Sequence, residues 1–198
     1  MPPDQGPSLR ERTREAVRAE VRLAALDLFA EQGFDATTAE QISRAVGISV
    51  RSFYRYFPTK EDVLIGQNAQ MGGLIRDALA ARPADEAIWT ALRASLDPVV
   101  TAFSAEPERG LAFMQVIMST HALRAHHVEK HILWEQLLAP VVEARLAVGG
   151  DTHPLRARTL AHTAVACLDL TFAEWSASNG TLDLETLLDD VFTQVADI

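Results

Sequence analysis

The sequence predicts an all-α protein. Apolar residues recur at helical spacing almost everywhere in its 198 residues, and runs of alternating polar and apolar residues, which a strand would need, are absent. Glycine and proline cut the chain into pieces of helix length, at Gly33, Gly47, Pro58, Pro83, Pro107, Gly149 and Gly150 with Pro154, and Asn179 with Gly180. About nine helices result.

The first helix is expected over 10–32. Ser8 and Glu11 have the spacing of a capping box, Gly33 can close its end, and Val21, Ala24, Ala25, Leu28 and Phe29 form one apolar stripe. A short helix over 39–46 follows, with Thr38 and Gln41 as a second capping box and Ile42, Ala45 and Val46 turned inward. The next covers 50–56 behind Ser49 as N-cap. A fourth begins after Pro58, with Thr59 capping and Asp62 at the third position, and is expected over 59–81. The remainder reads as helices over 85–105, 108–118, 122–148, 154–178 and 183–196. Pro98 and Pro140 fall inside two of these and are expected to bend them. Residues 1–8 hold three prolines and a glycine and are expected to be disordered.

Composition narrows the class. Hydrophobic residues make up 48% and charged residues 23%, as in an ordinary globular protein. The one cysteine, Cys167, excludes an internal disulfide and fits a reducing compartment. No apolar run approaches the ~20 residues of a membrane span, and MPPDQGPSLRER lacks the apolar core of a secretory signal. The expected location is the cytoplasm, with no membrane partner. The net charge of −9 argues at first against nucleic acid, but it is unevenly spread. Residues 1–65 carry nine basic and ten acidic side chains, whereas residues 66–198 carry nine and seventeen. A local basic face still binds phosphate, because fields are screened beyond about 8–10 Å at physiological salt.

Such a face lies in residues 37–60, TTAEQISRAVGISVRSFYRYFPTK. Two short helices are joined by Val46, Gly47, Ile48 and Ser49, where glycine supplies a positive φ; this is helix-turn-helix spacing. Ile42, Val46, Ile48, Phe53 and Phe57 are expected to face inward. The other face of the second helix carries Val50, Arg51, Ser52, Tyr54, Arg55 and Tyr56, and no acid lies between Glu40 and Glu61. Arginine can fork onto guanine, tyrosine hydroxyls reach phosphate, and small residues at the first turn let a helix enter the major groove. The plainer reading is a solvated helical hairpin in an ordinary bundle.

Residues 29–64, FAEQGFDATTAEQISRAVGISVRSFYRYFPTKEDVL, closely resemble the N-terminal domain of the tetracycline-repressor (TetR) family. The match rests on Phe29, Gly33, Phe34, Thr37, Thr38, Ile42, Ala45, Gly47, Ile48, Ser49, the aromatic run from Phe53 to Phe57, Lys60, Glu61 and Leu64, and extends over about 14–65. The resemblance implies a DNA-binding regulator with a domain over 9–57, a connecting helix over 59–81, and a ligand-binding and dimerisation domain over 82–198. It implies that Thr38 meets a phosphate and that Val50, Arg51 and Ser52, behind Ser49, face base edges. It places Tyr54 and Tyr56 on the DNA backbone and Lys60 on a phosphate. Arg55 is a base or phosphate contact, or it pairs with an acid. The implied partners are a palindromic double-stranded operator, a second copy of the chain and a small-molecule effector.

The C-terminal region offers material for both remaining tasks. Leu160, Ala164, Leu168, Phe172 and Trp175, with Leu184, Leu188, Val191, Phe192 and Val195, are candidates for a dimer interface; the alternative is that these stripes face their own core. Trp89, Leu92, Leu96, Phe103, Phe113, Met114, Ile117, Met118, Trp134, Leu138 and Phe172 are candidates for an apolar ligand pocket, with ordinary core as the alternative for each. His127 and His131 are four apart, near His121 and His126, but the only acid beside them in sequence is Glu129. Solvated or hydrogen-bonded histidines are the expected reading, and no metal or other cofactor is implied. Phosphate-loop, nucleophile-elbow and zinc-protease motifs are absent, so an enzyme is not expected. The favoured function is a repressor released from its operator by a small, mainly apolar ligand. Its alternatives are a ligand-independent regulator and a helical small-molecule-binding protein without DNA binding.

Overall fold

The computed structural model describes residues 8–66, 68–150 and 153–196, and all secondary structure among them is helical. The expected disordered segment over 1–8 lies outside the described residues, apart from Ser8. Two compact units divide the chain, Met1–Gly66 and Gln67–Ile198.

In the first unit α1 runs Leu9–Gln32, α2 Ala39–Ala45, α3 Val50–Tyr56 and α4 Asp62–Ile65. Both expected capping boxes form, Ser8 with Glu11 and Thr38 with Gln41, so each helix starts where its side chains satisfy the first free N–H groups. Thr59 and Asp62 make the same reciprocal pair ahead of α4. Gly33 and Gly47 take φ of +89° and +69°, and Gly47 sits in the turn between α2 and α3. Helix α1 packs on α2 and α4, and α2 on α3, around buried Val21, Ala25, Phe29, Ile42, Phe53 and Phe57. The inner face of α2 runs through Ala39, Ile42 and Ser43 to half-buried Val46. Ala45, expected inside, falls off that face and is exposed.

In the second unit α5 is Asn68–Ala80, α6 Ile88–Ser95, α7 Asp97–Ala105, α8 Pro107–Ser119, α9 His121–Val148, α10 Pro154–Ala177 and α11 Leu184–Ala196. The expected helix over 59–81 is therefore two, α4 and α5, parted near Gly66, a poor helix former. The expected helix over 85–105 also divides, at Leu96. Pro98 does not bend a helix interior; it occupies the first turn of α7, where its missing N–H costs nothing. Pro140 does lie inside α9. Merging α4 with α5 and α6 with α7 turns the eleven described segments into the nine expected rods.

Long helices α9 and α10 form the main pair, with α5, α6 and α8 against α9 and α11 against α10. One continuous apolar core includes Ile75, Leu79, Leu92, Leu96, Met114, Trp134, Leu138, Val142, Leu168, Phe172, Trp175, Leu188 and Phe192. Helices α5 and α9 approach closely at Gly72. A Cβ there would lie 2.6 Å from Cδ1 of Trp134 and 2.8 Å from Cδ1 of Leu137, whereas one on Gly73 would meet nothing within 4 Å. The two adjacent glycines should respond oppositely to alanine. Gly73→Ala is expected to stabilise by about 0.5–1 kcal/mol through helix propensity. Gly72→Ala is expected to destabilise by about 1–2 kcal/mol, because overpacking against the indole outweighs that gain. Urea unfolding of the two variants checks both signs.

Candidate nucleic-acid interface

The outer surface of the first unit is set by what α3 hides. Phe53 and Phe57 are fully buried. Two guanidinium groups then hold the end of the helix: Arg18 and Arg22 of α1 lie 5.4 Å and 5.7 Å from the Phe57 ring centroid. Arg18 also donates from Nη2 to the Tyr56 carbonyl at 3.1 Å, answering one of the carbonyls a helix end leaves open. Ser49 caps the start, its Oγ accepting from the Ser52 N–H at 3.1 Å. With both ends fixed, Arg51, Tyr54 and Arg55 are exposed, and Val50, Ser52 and Tyr56 are half-buried.

Arg55 has no carboxylate partner among the described residues; it lies 5.2 Å from the Tyr56 ring. Of the alternatives left open for it, pairing with an acid is not the one adopted. Exposed cationic and phenolic groups, with no acid in the same stretch of sequence, make a surface suited to phosphate oxygens and base edges.

Lys60 is placed differently from expectation. Its Nζ donates to the carbonyls of Phe34 at 2.6 Å and Thr37 at 3.0 Å, and sits 4.1 Å from the Phe34 ring centroid. The ammonium is engaged within the unit, where it holds the 34–37 loop that leads into α2. Thr37, 1% exposed, ties the same loop by donating from Oγ1 to the Gly33 carbonyl at 2.8 Å. Thr38 at the head of α2 is thereby fixed, and its own side chain is used in the capping box.

A second basic feature lies on α1. Leu9, Arg10, Thr13 and Arg14 of α1 line a groove of about 650 Å³ with Arg55 and Tyr56. The signal was available: Arg10, Arg14 and Arg18 are four apart and share one face of α1. Their relation to the end of α3 was not.

In the second unit the pocket candidates are mostly core. Leu92, Leu96, Met114, Trp134, Leu138 and Phe172 are buried in the main cluster, and Trp89, Phe103 and Phe113 pack against it. Ile117 is also buried. They do not converge on one point: Trp89 stacks on Phe192 at 4.6 Å and donates to its carbonyl, while Phe103 meets Phe172 at 4.4 Å and Phe113 at 6.0 Å. Met118 is a correction. One residue beyond Ile117, it has rotated off the inner face of α8 and is 41% exposed.

The dimer candidates are corrected more fully. Ala164, Leu168, Phe172, Trp175, Leu184, Leu188, Val191 and Phe192 are all buried within the single chain. The stripes of α10 and α11 face each other and the helices beside them, so they offer no free face; Leu160 and Val195 are half-buried at the margin. The outer side of α10 shows Leu155, Thr159, Ala166 and Leu170.

Two of the histidines take the hydrogen-bonded alternative. His127 and His131 of α9 meet Asp169 of α10, which also takes a hydrogen bond from Lys130 at 2.6 Å. Burial would raise the Asp169 pKa, but hydrogen bonds from His127 and His131 and the charge of Lys130 outweigh it, holding the carboxyl far below its ordinary value. Burial pushes the Lys130 pKa down, and Asp169 pulls it part of the way back. No local signal could reveal this cluster, because Asp169 lies 38 residues beyond His131.

Two family models match the chain: that of bacterial regulatory proteins of the tetR family over residues 22–65, and the MftR C-terminal domain over residues 86–198. The chain is 32% identical over 188 residues to the HTH-type transcriptional regulator TcmR of Streptomyces glaucescens, covering 92% of this chain and 82% of that protein. Among solved structures it is similar to FadR from Bacillus subtilis, in complex with stearoyl-CoA, with a TM-score of 0.64 and 19% identity over 88% of this chain and 95% of that one. NalD of Pseudomonas aeruginosa, the secondary repressor of the MexAB-OprM multidrug efflux pump, gives a TM-score of 0.62 and 24% identity over 91% and 96%. No helix among the described residues is long and apolar enough to cross a membrane. With a helix-turn-helix unit and a helical C-terminal unit each matched along most of its length, the chain belongs to the TetR family and is a DNA-binding transcriptional regulator, not an enzyme.

Proposed function

We propose that this regulator is a repressor, acting in the cytoplasm as a homodimer on a palindromic operator and released by a small, mainly apolar ligand. The observation that carries the DNA half is the exposed, acid-free face of α3, with Arg51, Tyr54 and Arg55 displayed at a helix whose two ends are locked. Arg51 reads a base edge, flanked by Val50 and Ser52 at the first turn behind Ser49. Tyr54, Tyr56 and Arg55 take phosphates, joined by Arg10 and Arg14 across the α1 groove. Thr38 presents the start of α2 to another phosphate. Lys60 acts one step back, by holding the loop before Thr38. Residues 9–57 thus read DNA, and residues 82–198 bind the effector and the second subunit.

A two-fold pair of α3 helices matches half-sites about one DNA turn apart. The outer side of α10, with Leu155, Thr159, Ala166 and Leu170, is the face available for pairing. An apolar effector suits the aromatic and apolar packing of Phe103, Phe113, Met114 and Phe172. The same fold accommodates acyl-CoA in two FadR proteins, from Bacillus subtilis with stearoyl-CoA and from Thermus thermophilus with lauroyl-CoA. Ligand bound only by the released form lowers operator affinity by linkage.

Fluorescence anisotropy on promoter fragments beside the gene tests the DNA reading. Arg51→Ala is expected to weaken specific binding by about 1–3 kcal/mol and to relax preference at one base position. Unchanged affinity and salt dependence in Arg51→Ala combined with Tyr56→Phe would remove α3 as the reader. Lys60→Met is expected to lower the melting temperature while leaving the salt slope of residual binding unchanged; a slope reduced by about 1 would instead put its ammonium on a phosphate. For the effector, a thermal-shift panel of lauroyl-CoA, stearoyl-CoA and aromatic hydrophobes should contain a compound that raises the melting temperature and releases operator. If none does both, the regulator works without a ligand of this class.

A further inference from the structure

We propose that His127, His131 and Asp169 form a binding site for one divalent transition-metal ion of borderline softness, zinc being the type case. The inference is independent of the operator reading. His127 and His131 project from successive turns of α9, and Asp169 comes from α10, the helix most extensively packed on it. One ligand atom from each lies within 4.8 Å of the other two. Nε2 of His127 is 3.3 Å from Asp169 Oδ1, and Nε2 of His131 is bonded to Asp169 Oδ2. Tetrahedral ligation at about 2.0–2.2 Å sets donor atoms roughly 3.3–3.5 Å apart, so both rings and the carboxylate, already within 4.8 Å of one another, must turn to close on an ion.

Two imidazoles and a carboxylate select zinc, cobalt or nickel over magnesium and calcium, which prefer all-oxygen sites. The three side chains are only 15–17% exposed, a shielding that strengthens charge interactions. Water or His162, whose ring centroid is 5.9 Å from that of His131, would supply the fourth ligand. Glu135 Oε2 lies 3.3 Å from Nδ1 of His162, the kind of outer carboxylate contact that orients a ligating imidazole.

Lys130 is the built-in competitor. Its ammonium sits 2.6 Å from Asp169 Oδ1 and 3.4 Å from His127 Nε2, 6% exposed against the Trp134 ring. The ion takes Oδ2 and both rings; Lys130 keeps Oδ1 and gives up His127. Like-charge repulsion therefore weakens the site, and removing the ammonium while keeping the chain length strengthens it.

The test uses tag-free full-length protein, stripped with chelator and titrated with Co²⁺. One equivalent per chain is expected to give a saturable d–d absorption band that Zn²⁺ displaces. His131→Ala and Asp169→Asn should weaken binding by about 100-fold, and Lys130→Met should tighten it by about tenfold or more. If His131→Ala or Asp169→Asn fails to give a native circular dichroism spectrum, the more conservative His127→Gln provides the same reading at another ligand. The proposal is overturned by the lack of a saturable band up to about 1 mM Co²⁺. It is equally overturned by a band that survives in His131→Ala, Asp169→Asn or His127→Gln, which would place the ion on surface histidines such as His121 or His126.

Discussion

The angle between α2 and α3 is the constraint on which the function of this chain depends. A helix of seven residues has little stability of its own, because nucleation costs more than two turns return. It persists here because Phe53 and Phe57 are buried, Gly47 supplies the turn, and Arg18 and Arg22 close over the Phe57 ring. The same arginine that covers Phe57 also satisfies the Tyr56 carbonyl, so the end of α3 is held by packing and by a charge-assisted hydrogen bond together. Side chains on the opposite face are then presented in a fixed array, the requirement for reading a groove.

Lys60 illustrates how a basic residue beside a helix-turn-helix can be engaged within its own unit. A charge bonded to two backbone carbonyls is well solvated by the protein. The 34–37 loop carries the start of α2, and that start carries Thr38. Exposed Arg51 and Arg55, with no such internal bonds, keep their full donor capacity for an outside partner.

The second unit solves a different problem. Its long helices carry apolar stripes broad enough to pair with one another, and that pairing leaves a mostly hydrophobic interior into which Lys130 brings a buried charge. Lys130 and Asp169 are both largely withdrawn from water, an arrangement that costs desolvation and survives only where hydrogen bonds answer every charge. His127 and His131 provide those bonds. A buried cluster of this kind fixes the register of α9 against α10, since sliding either helix by one turn would leave a charge unpaired.

The helices, their caps and the helix-turn-helix spacing were legible in the sequence, because each is decided within a few residues. Ser8 with Glu11, Thr38 with Gln41, and Ser49 all cap the helices they were expected to cap, and Val50–Tyr56 begins and ends where its cap and Pro58 require. Tertiary structure decided what local pattern leaves ambiguous. An apolar stripe does not state which neighbour it faces, so the stripes of α10 and α11 turned out to be internal to the chain. A lysine does not state whether its ammonium points to solvent or to a loop carbonyl 23 to 26 residues earlier. A histidine pair does not reveal an aspartate on another helix. Spacing along one helix is set by backbone periodicity, but partnership between helices is set by packing, and packing is not written at any single position.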